Sequence, residues 1–207
     1  MKTHPSRRQS GFTLVELLVV IAIIAVLAGA GFAAARSAID KANKTTALAT
    51  IVAIEDAVNQ FYSEYGAMPT DDATDGATDA QPIDTGNNAK GKEFLAVLLG
   101  LDETANPPLN TRGTKFLSVK EGKKKGKGGT KGVIYDSDGK SVVGLFDPWG
   151  GSYKVILDTG FDDRVDPEPK AKGGPQNPLN GRKAAAWSDG ADGVDSTGKA
   201  TDDVKNW

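Results

Sequence analysis

Few residues in this chain are equipped for chemistry. In 207 residues there is one histidine, His4, and no cysteine. A Ser-His-Asp triad or a multi-histidine zinc site would rest on that one imidazole. Thiol catalysis, a Cys-ligated metal and a disulfide framework are excluded outright. No GxSxG motif occurs. Gly86-x-x-x-x-Gly91-Lys92 comes close to phosphate-loop spacing, but Glu93 stands where a Ser or Thr would ligate magnesium, and no apolar strand precedes it. The 27 Asp+Glu permit many carboxylate pairs of the glycosidase kind and single out none. Nothing in the pattern points to an enzyme.

Two acidic features remain. One is the C-terminal pair of segments Ser188-Asp-Gly-Ala-Asp-Gly-Val-Asp195 and Thr201-Asp-Asp-Val-Lys-Asn-Trp207. Short Asp side chains between glycines let carboxylates and carbonyls converge, and calcium takes about six to eight such oxygens. The spacing is not that of an EF-hand, and no Glu closes the loop. Solvent-facing Asp-Gly turns account for the same residues equally well. Trp207 argues for an ordered tail, since a large aromatic packs on something. The other feature is Glu16, a carboxylate set into an aliphatic run.

That run defines the element which must position Glu16. From Phe12 to Ala35 only Thr13, Glu16, Gly29 and Gly31 fall outside the hydrophobic set, and Leu17–Ala35 carries no charge. Its 19 residues span about 28 Å as a helix, close to the bilayer hydrocarbon thickness. Residues 12–35 are therefore expected to cross a membrane. A secretory signal peptide has a shorter apolar core and a cleavage site after it. A buried soluble helix is the other alternative, and Glu16 among so many large aliphatics weighs against it. Lys2, Arg7 and Arg8 precede the run and place the N-terminus in the cytoplasm.

The helix pattern continues beyond the span. Arg36, Asp40, Lys41 and Lys44 mark the exit into water, and Ala47, Ile51, Ile54, Val58, Phe61 and Tyr65 then form one apolar stripe. Residues 36–66 are the amphipathic half of a helix reaching from Phe12 to Tyr65, with Gly66 and Pro69 as stop signals. A coiled coil would need the stripe sustained over more heptads.

Residues 67–207 read as a small head. Thr70–Lys90 is a polar excursion, and Glu93–Leu101 is a short apolar helix ended by Asn106-Pro107-Pro108. Lys120–Lys131 holds six lysines with no aromatic between them, which suits a solvated loop better than a nucleic-acid or acidic-lipid site. Strands are expected at Gly132–Tyr135, Val142–Phe146, Tyr153–Leu157 and Lys183–Trp187, paired as an antiparallel meander. The fold class is α+β, a long N-terminal helix packed on a small antiparallel sheet. The formal net charge of -2 argues against a nucleic-acid partner.

Gly11-Phe-Thr-Leu-Val-Glu16 followed by the aliphatic helix resembles the type IV prepilin signal. Ile54-Glu-Asp-Ala-Val-Asn-Gln-Phe-Tyr-x-x-Tyr-Gly-x-Met-Pro-Thr70, Asp147-Pro-Trp-Gly-Gly-Ser-Tyr153, Trp187-Ser-Asp-Gly-Ala-Asp-Gly193 and the final Asn206-Trp207 resemble the major (G-type) pseudopilin of type II secretion systems. The resemblance implies a leader at residues 1–11, cut by a prepilin peptidase between Gly11 and Phe12, and N-methylation of Phe12. It implies a pilin-like fold, an inner-membrane subunit with its head in the periplasm, and a helical filament built from copies of itself and minor pseudopilins on an inner-membrane assembly platform. Membrane lipid is the partner before assembly. A carboxylate in hydrocarbon costs about 2.5–3.5 kcal/mol and needs a partner; the family supplies one for Glu16 in the N-terminal ammonium of the neighbouring subunit. Snorkelling to the interface is the alternative.

The resemblance also implies calcium in the acidic loop, with side chains from Asp192, Asp202 and Asp203 and carbonyls from Asp189 and Val194. Two departures stand out. A proline common near Ala33 is missing, which leaves Gly29 and Gly31 as the weak points of the helix, and the Lys-rich and Thr70–Lys90 insertions are unusual. Two other functions fit less of the chain. A type IV pilin would commonly carry a disulfide-bounded loop, and a membrane-anchored calcium-binding or hydrolytic head would never polymerise. Loss of the leader would remove three basic residues and His4, leaving 22 Lys+Arg against 27 Asp+Glu, a formal charge of -5.

Overall fold

A computed structural model describes residues 11–71, 82–86, 88–102, 107–122, 131–167, 178–194 and 202–207. The expected leader before Gly11, most of the Thr70–Lys90 excursion, the centre of the Lys-rich stretch, Asp195 and Thr201 lie outside the described residues. The chain divides into two compact units, Met1–Ala42 and Asn43–Trp207.

In the first unit the described residues are almost all helix. Helix α1 (Leu14–Tyr65) starts two residues later than the apolar pattern suggests, because Thr13 serves as its cap. It runs through Gly29 and Gly31, although each costs about 1 kcal/mol relative to Ala in a helix interior. Leu14, Leu17, Ile21, Ile24 and Leu27 are all more than half exposed. This stretch is long and apolar enough to cross a membrane.

In the second unit α1 contributes the stripe that the spacing predicts. Ala47, Ile51, Ile54 and Val58 are fully buried and Phe61 nearly so, within one core with β-strand side chains of the same unit. The stripe is thus buried in the chain's own core, where a coiled coil would use a helix of another chain. The helix ends at Gly66, which takes the left-handed conformation (φ 66°) and donates its N–H to the Tyr62 carbonyl at 2.8 Å.

The remaining elements are β1 (Ile83–Asp84), α2 (Ala89–Leu99), β2 (Gly132–Tyr135), β3 (Val142–Phe146), β4 (Tyr153–Leu157), β5 (Arg164–Val165), β6 (Leu179–Asn180), β7 (Ala184–Ser188) and β8 (Val204–Lys205). All named strand pairs are antiparallel, yet the order departs from a meander. One sheet runs β1-β4-β7-β8, and the hairpins β2-β3 and β5-β6 form separate pairs. The chain leaves the sheet after β4, makes β5-β6 and returns as β7. Two-residue strands carry no periodicity, so β1, β5, β6 and β8 leave no trace in the sequence.

Thr85 ties the β2-β3 hairpin to the sheet. Its hydroxyl donates to the Leu145 carbonyl at 2.8 Å and accepts the Tyr153 N–H at 2.9 Å. Strand β7 alternates between two cores, as the pleat requires. Ala184 and Ala186 join the core with α1, while Ala185 and Trp187 pack with Ile156 and Val165 on the other face. Helix α2 begins four residues before the expected start and ends at Gly100 (φ 71°), ahead of the prolines.

Candidate functional site

At the N-terminal end, Gly11 and Phe12 precede the helix in the open, and Phe12 is 76% exposed. Glu16 is engaged by Thr13. Its Oε2 accepts the Thr13 backbone N–H and the Thr13 hydroxyl, both at 2.8 Å, and its own N–H donates to Thr13 Oγ1 at 3.2 Å. This is a reciprocal capping box, in which two otherwise orphaned helix N–H groups find acceptors. The Thr-x-x-Glu spacing announces it; reading Glu16 only as a charge in an apolar run passes over it. The box holds the carboxylate at the helix terminus, one turn from the Gly11–Phe12 bond, where the macrodipole favours negative charge.

At the other end, the acidic loop leaves β7 at Ser188 and returns through β8. Asp202 Oδ2 accepts the N–H groups of Ala191 and Asp192 at 2.9 and 3.0 Å, and Asp192 Oδ1 accepts that of Val194 at 2.9 Å. Gly190 (φ 72°) lies so close under the Asp202 carbonyl that a Cβ there would meet it at 2.5 Å. Asp192 and Asp202 are therefore brought together across ten residues, with Asp189 at the start of the turn and Val194, 59% exposed, at its end. Asp203 follows directly before β8. All five residues offer hard oxygens suited to calcium. Among the described residues, however, no three acidic side chains form a group that could hold a metal ion. The geometry is that of a turn stitched by carboxylate-to-backbone bonds.

Two anchors of this loop escape a reading of the acids alone. Asp147 is buried; its Oδ1 accepts the N–H groups of Trp149, Gly150 and Gly151 at 2.8–2.9 Å. Its Oδ2 accepts the Ser188 hydroxyl at 2.6 Å, and Ser188 Oγ in turn accepts the Gly190 N–H at 3.2 Å. The Asp-Pro-x-Gly-Gly sequence is a turn signal that marks Asp147. The second anchor is Glu55 on α1. It pairs with Arg182 Nη1 at 3.2 Å and accepts from the Asn206 side chain, while Arg182 Nη2 donates to the Asn206 carbonyl at 3.1 Å. Trp207 packs edge-on against Trp187, ring centres 5.9 Å apart. The Gly86–Lys92 near-motif is no phosphate cradle. Asn88 caps α2 by accepting the Gly91 N–H at 2.7 Å and donating to the Asp84 carbonyl at 2.9 Å.

Residues 6–32 match the family model of the prokaryotic N-terminal methylation motif. That motif lies at the N-terminus, and over its N-terminal part the chain is similar to pilins and pseudopilins. It is 40% identical over 78 residues to prepilin peptidase-dependent protein D of Escherichia coli (strain K12), which covers 38% of it and 51% of the relative. It is 39% identical over 64 residues to the type II secretion system core protein G of Aeromonas hydrophila, with 31% and 45% covered. It is 32% identical over 75 residues to the type IV major pilin protein PilE of Neisseria gonorrhoeae, with 36% and 45% covered. The chain spans about half the length of the curated relatives it matches. No solved structure matches it.

Proposed function

We propose that this pilin-like chain is a structural, non-catalytic subunit of a type II secretion pseudopilus. It is cut between Gly11 and Phe12 by a prepilin peptidase, methylated on Phe12, and moved from the inner membrane into a helical filament. Its head lies in the periplasm. The observation that carries the reading is the N-terminal constellation: Glu16 fixed one turn from the Gly11–Phe12 bond, followed by large apolar side chains that stay exposed through Phe32. In hydrocarbon that surface is satisfied by lipid or by other helices, and the one carboxylate within it calls for a cation. The methylated terminal amine keeps its charge and supplies that cation from a neighbouring copy. An uncleaved anchor has no use for such a pairing.

Type II secretion is favoured over a type IV pilus by two things: the core protein G relatives, and the lack of cysteine for a disulfide-bounded loop. The PilE likeness keeps the pilus as the second reading. Expressing the chain in a type II secretion strain that lacks its own core protein G separates the two. Restored export of a folded protein supports the first reading. Surface fibres with no restored export support the second.

We also propose that the acidic loop takes calcium through the carboxylates of Asp192, Asp202 and Asp203 and the carbonyls of Asp189 and Val194. Calcium would neutralise these acids and fix the loop beside β7 and β8. This rests on the donor chemistry and on the pairing of Asp192 with Asp202 across the turn.

A further inference from the structure

The turn from β4 into β5 is held by more bonds than a connection needs. The Asp158 side chain is fully buried; its Oδ1 accepts the Asp162 N–H at 3.1 Å and its Oδ2 the Asp163 N–H at 3.0 Å. Lys183 Nζ reaches Asp158 Oδ2 at 3.1 Å and Asp163 Oδ1 at 2.6 Å, and lies 4.6 Å from the centre of the Tyr62 ring. Gly181 donates to the Asp163 carbonyl at 2.6 Å, and Arg164 N–H to Asp162 Oδ1 at 3.1 Å. Together these bonds hold two non-glycine residues in the left-handed region, Phe161 (φ 55°) and Asp163 (φ 60°). A bulky side chain disfavours that conformation, and it persists only where the surroundings over-determine it.

What the strained turn displays is an aromatic ring in water. Phe161 is 54% exposed, with its ring centre 6.2 Å from that of Tyr62 on α1, and the exposed Asp162 follows it. The Tyr62 contact covers part of the ring, and the half that stays in water is an apolar surface held in place by the turn. On α1 of the same unit, Leu48 and Val52 are 40% and 41% exposed, with Lys44 one turn earlier. Leu48 and Val52 lie about 15–21 Å down the helix from Tyr62, and Lys44 farther still, so the Phe161 of the same copy does not reach them.

We propose that Phe161 seats on the Leu48–Val52 face of a neighbouring copy of this chain, with Asp162 facing Lys44. The apolar residues match apolar and the charges are opposite. Knob and seat are different patches, so the contact is heterologous and repeats head to tail into an open filament. The proposal rests on the filament reading above and adds the residues that set which copies touch.

The chain has no native cysteine, which makes cross-linking clean. The full-length chain is expressed with a type II assembly machinery, carrying Phe161→Cys with Leu48→Cys or with Val52→Cys, and then oxidised. The expected result is a ladder of disulfide-linked multimers from the double variants and none from the single ones. A second variant, Phe161→Gly, suits the left-handed backbone. Its head should melt at or above the wild-type temperature while filament yield falls at least about tenfold. Filaments visible by electron microscopy but without a ladder, or normal filament yield from Phe161→Gly, overturn the contact and leave the filament reading standing. No filaments from the wild-type chain overturns the filament reading and this contact with it.

Discussion

Single residues carry the two ends of the molecule. The buried Asp147 accepts three backbone N–H groups of a half-buried turn and the buried Ser188 hydroxyl. Asp147→Ala strands those donors, each of which costs about 1–3 kcal/mol when left unpaired and dry. After water recovers part, a loss of about 3 kcal/mol is expected in urea unfolding of the head, and hydrogen exchange should quicken first at Gly190. Asp84 titrates with a definite sign. Burial opposes its ionisation, but Lys154 at 2.5 Å, Ser152 and the Gly86 N–H outweigh that and hold its carboxyl below the usual range. A group depressed in the fold stabilises above its unfolded value and loses that contribution as pH falls through the folded one. Lys183 is the converse: burial opposes its charge, yet Asp163 and Asp158 raise it, so its contribution holds at lower pH and fades as pH rises above the usual lysine range. The thermal midpoint should therefore fall on both the acid and the alkaline limb. Asp84→Asn should flatten the acid limb and leave the alkaline one unchanged.

Among elements, α1 lays a fully buried stripe into the core of the head, and it was also the most legible. Spacings of three and four from Ala47 to Phe61 name the buried face, since a 3.6-residue period allows only one set of neighbours. Phe61→Ala removes a ring packed against Tyr65 and Phe116, and should cost about 3–5 kcal/mol in equilibrium unfolding of the head. A change below about 1 kcal/mol would mean that the stripe is not core. Strands β2, β3 and β4 were legible from Val, Ile and aromatic runs between turn residues, and β7 lies one residue beyond its expected span. What stayed hidden is long-range. The Glu55 clasp joins residues 127 and 151 positions apart, and no local pattern announces such a pair. The Asp158 turn was equally silent, because a buried acid in a loop looks like any exposed Asp until its N–H partners are known.

At the scale of the whole molecule, composition reads differently once the ends are understood. A chain of nearly neutral average is an apolar helix and an acidic head, and loss of residues 1–11 would leave 22 Lys+Arg against 27 Asp+Glu, and neither His nor Cys. The acidic loop illustrates what remained open: spacing alone cannot separate a calcium cage from stitched turns, and the described carboxylates bond to backbone N–H groups. A thermal melt settles the calcium proposal. At calcium one hundred times the dissociation constant, binding adds about 2.7 kcal/mol, so millimolar calcium should raise the midpoint by several degrees over chelator. Asp202→Ala should abolish that difference. An identical melt with calcium and with chelator would remove the metal.

Assembly is the central claim, and Glu16 tests it most directly. The full-length wild type and Glu16→Leu are each expressed with a type II assembly machinery, and filaments are counted by electron microscopy beside a membrane-fractionation control. Wild-type filaments, together with a Glu16→Leu chain that inserts into the membrane normally yet forms none, are the expected result. Normal filaments from Glu16→Leu would contradict it.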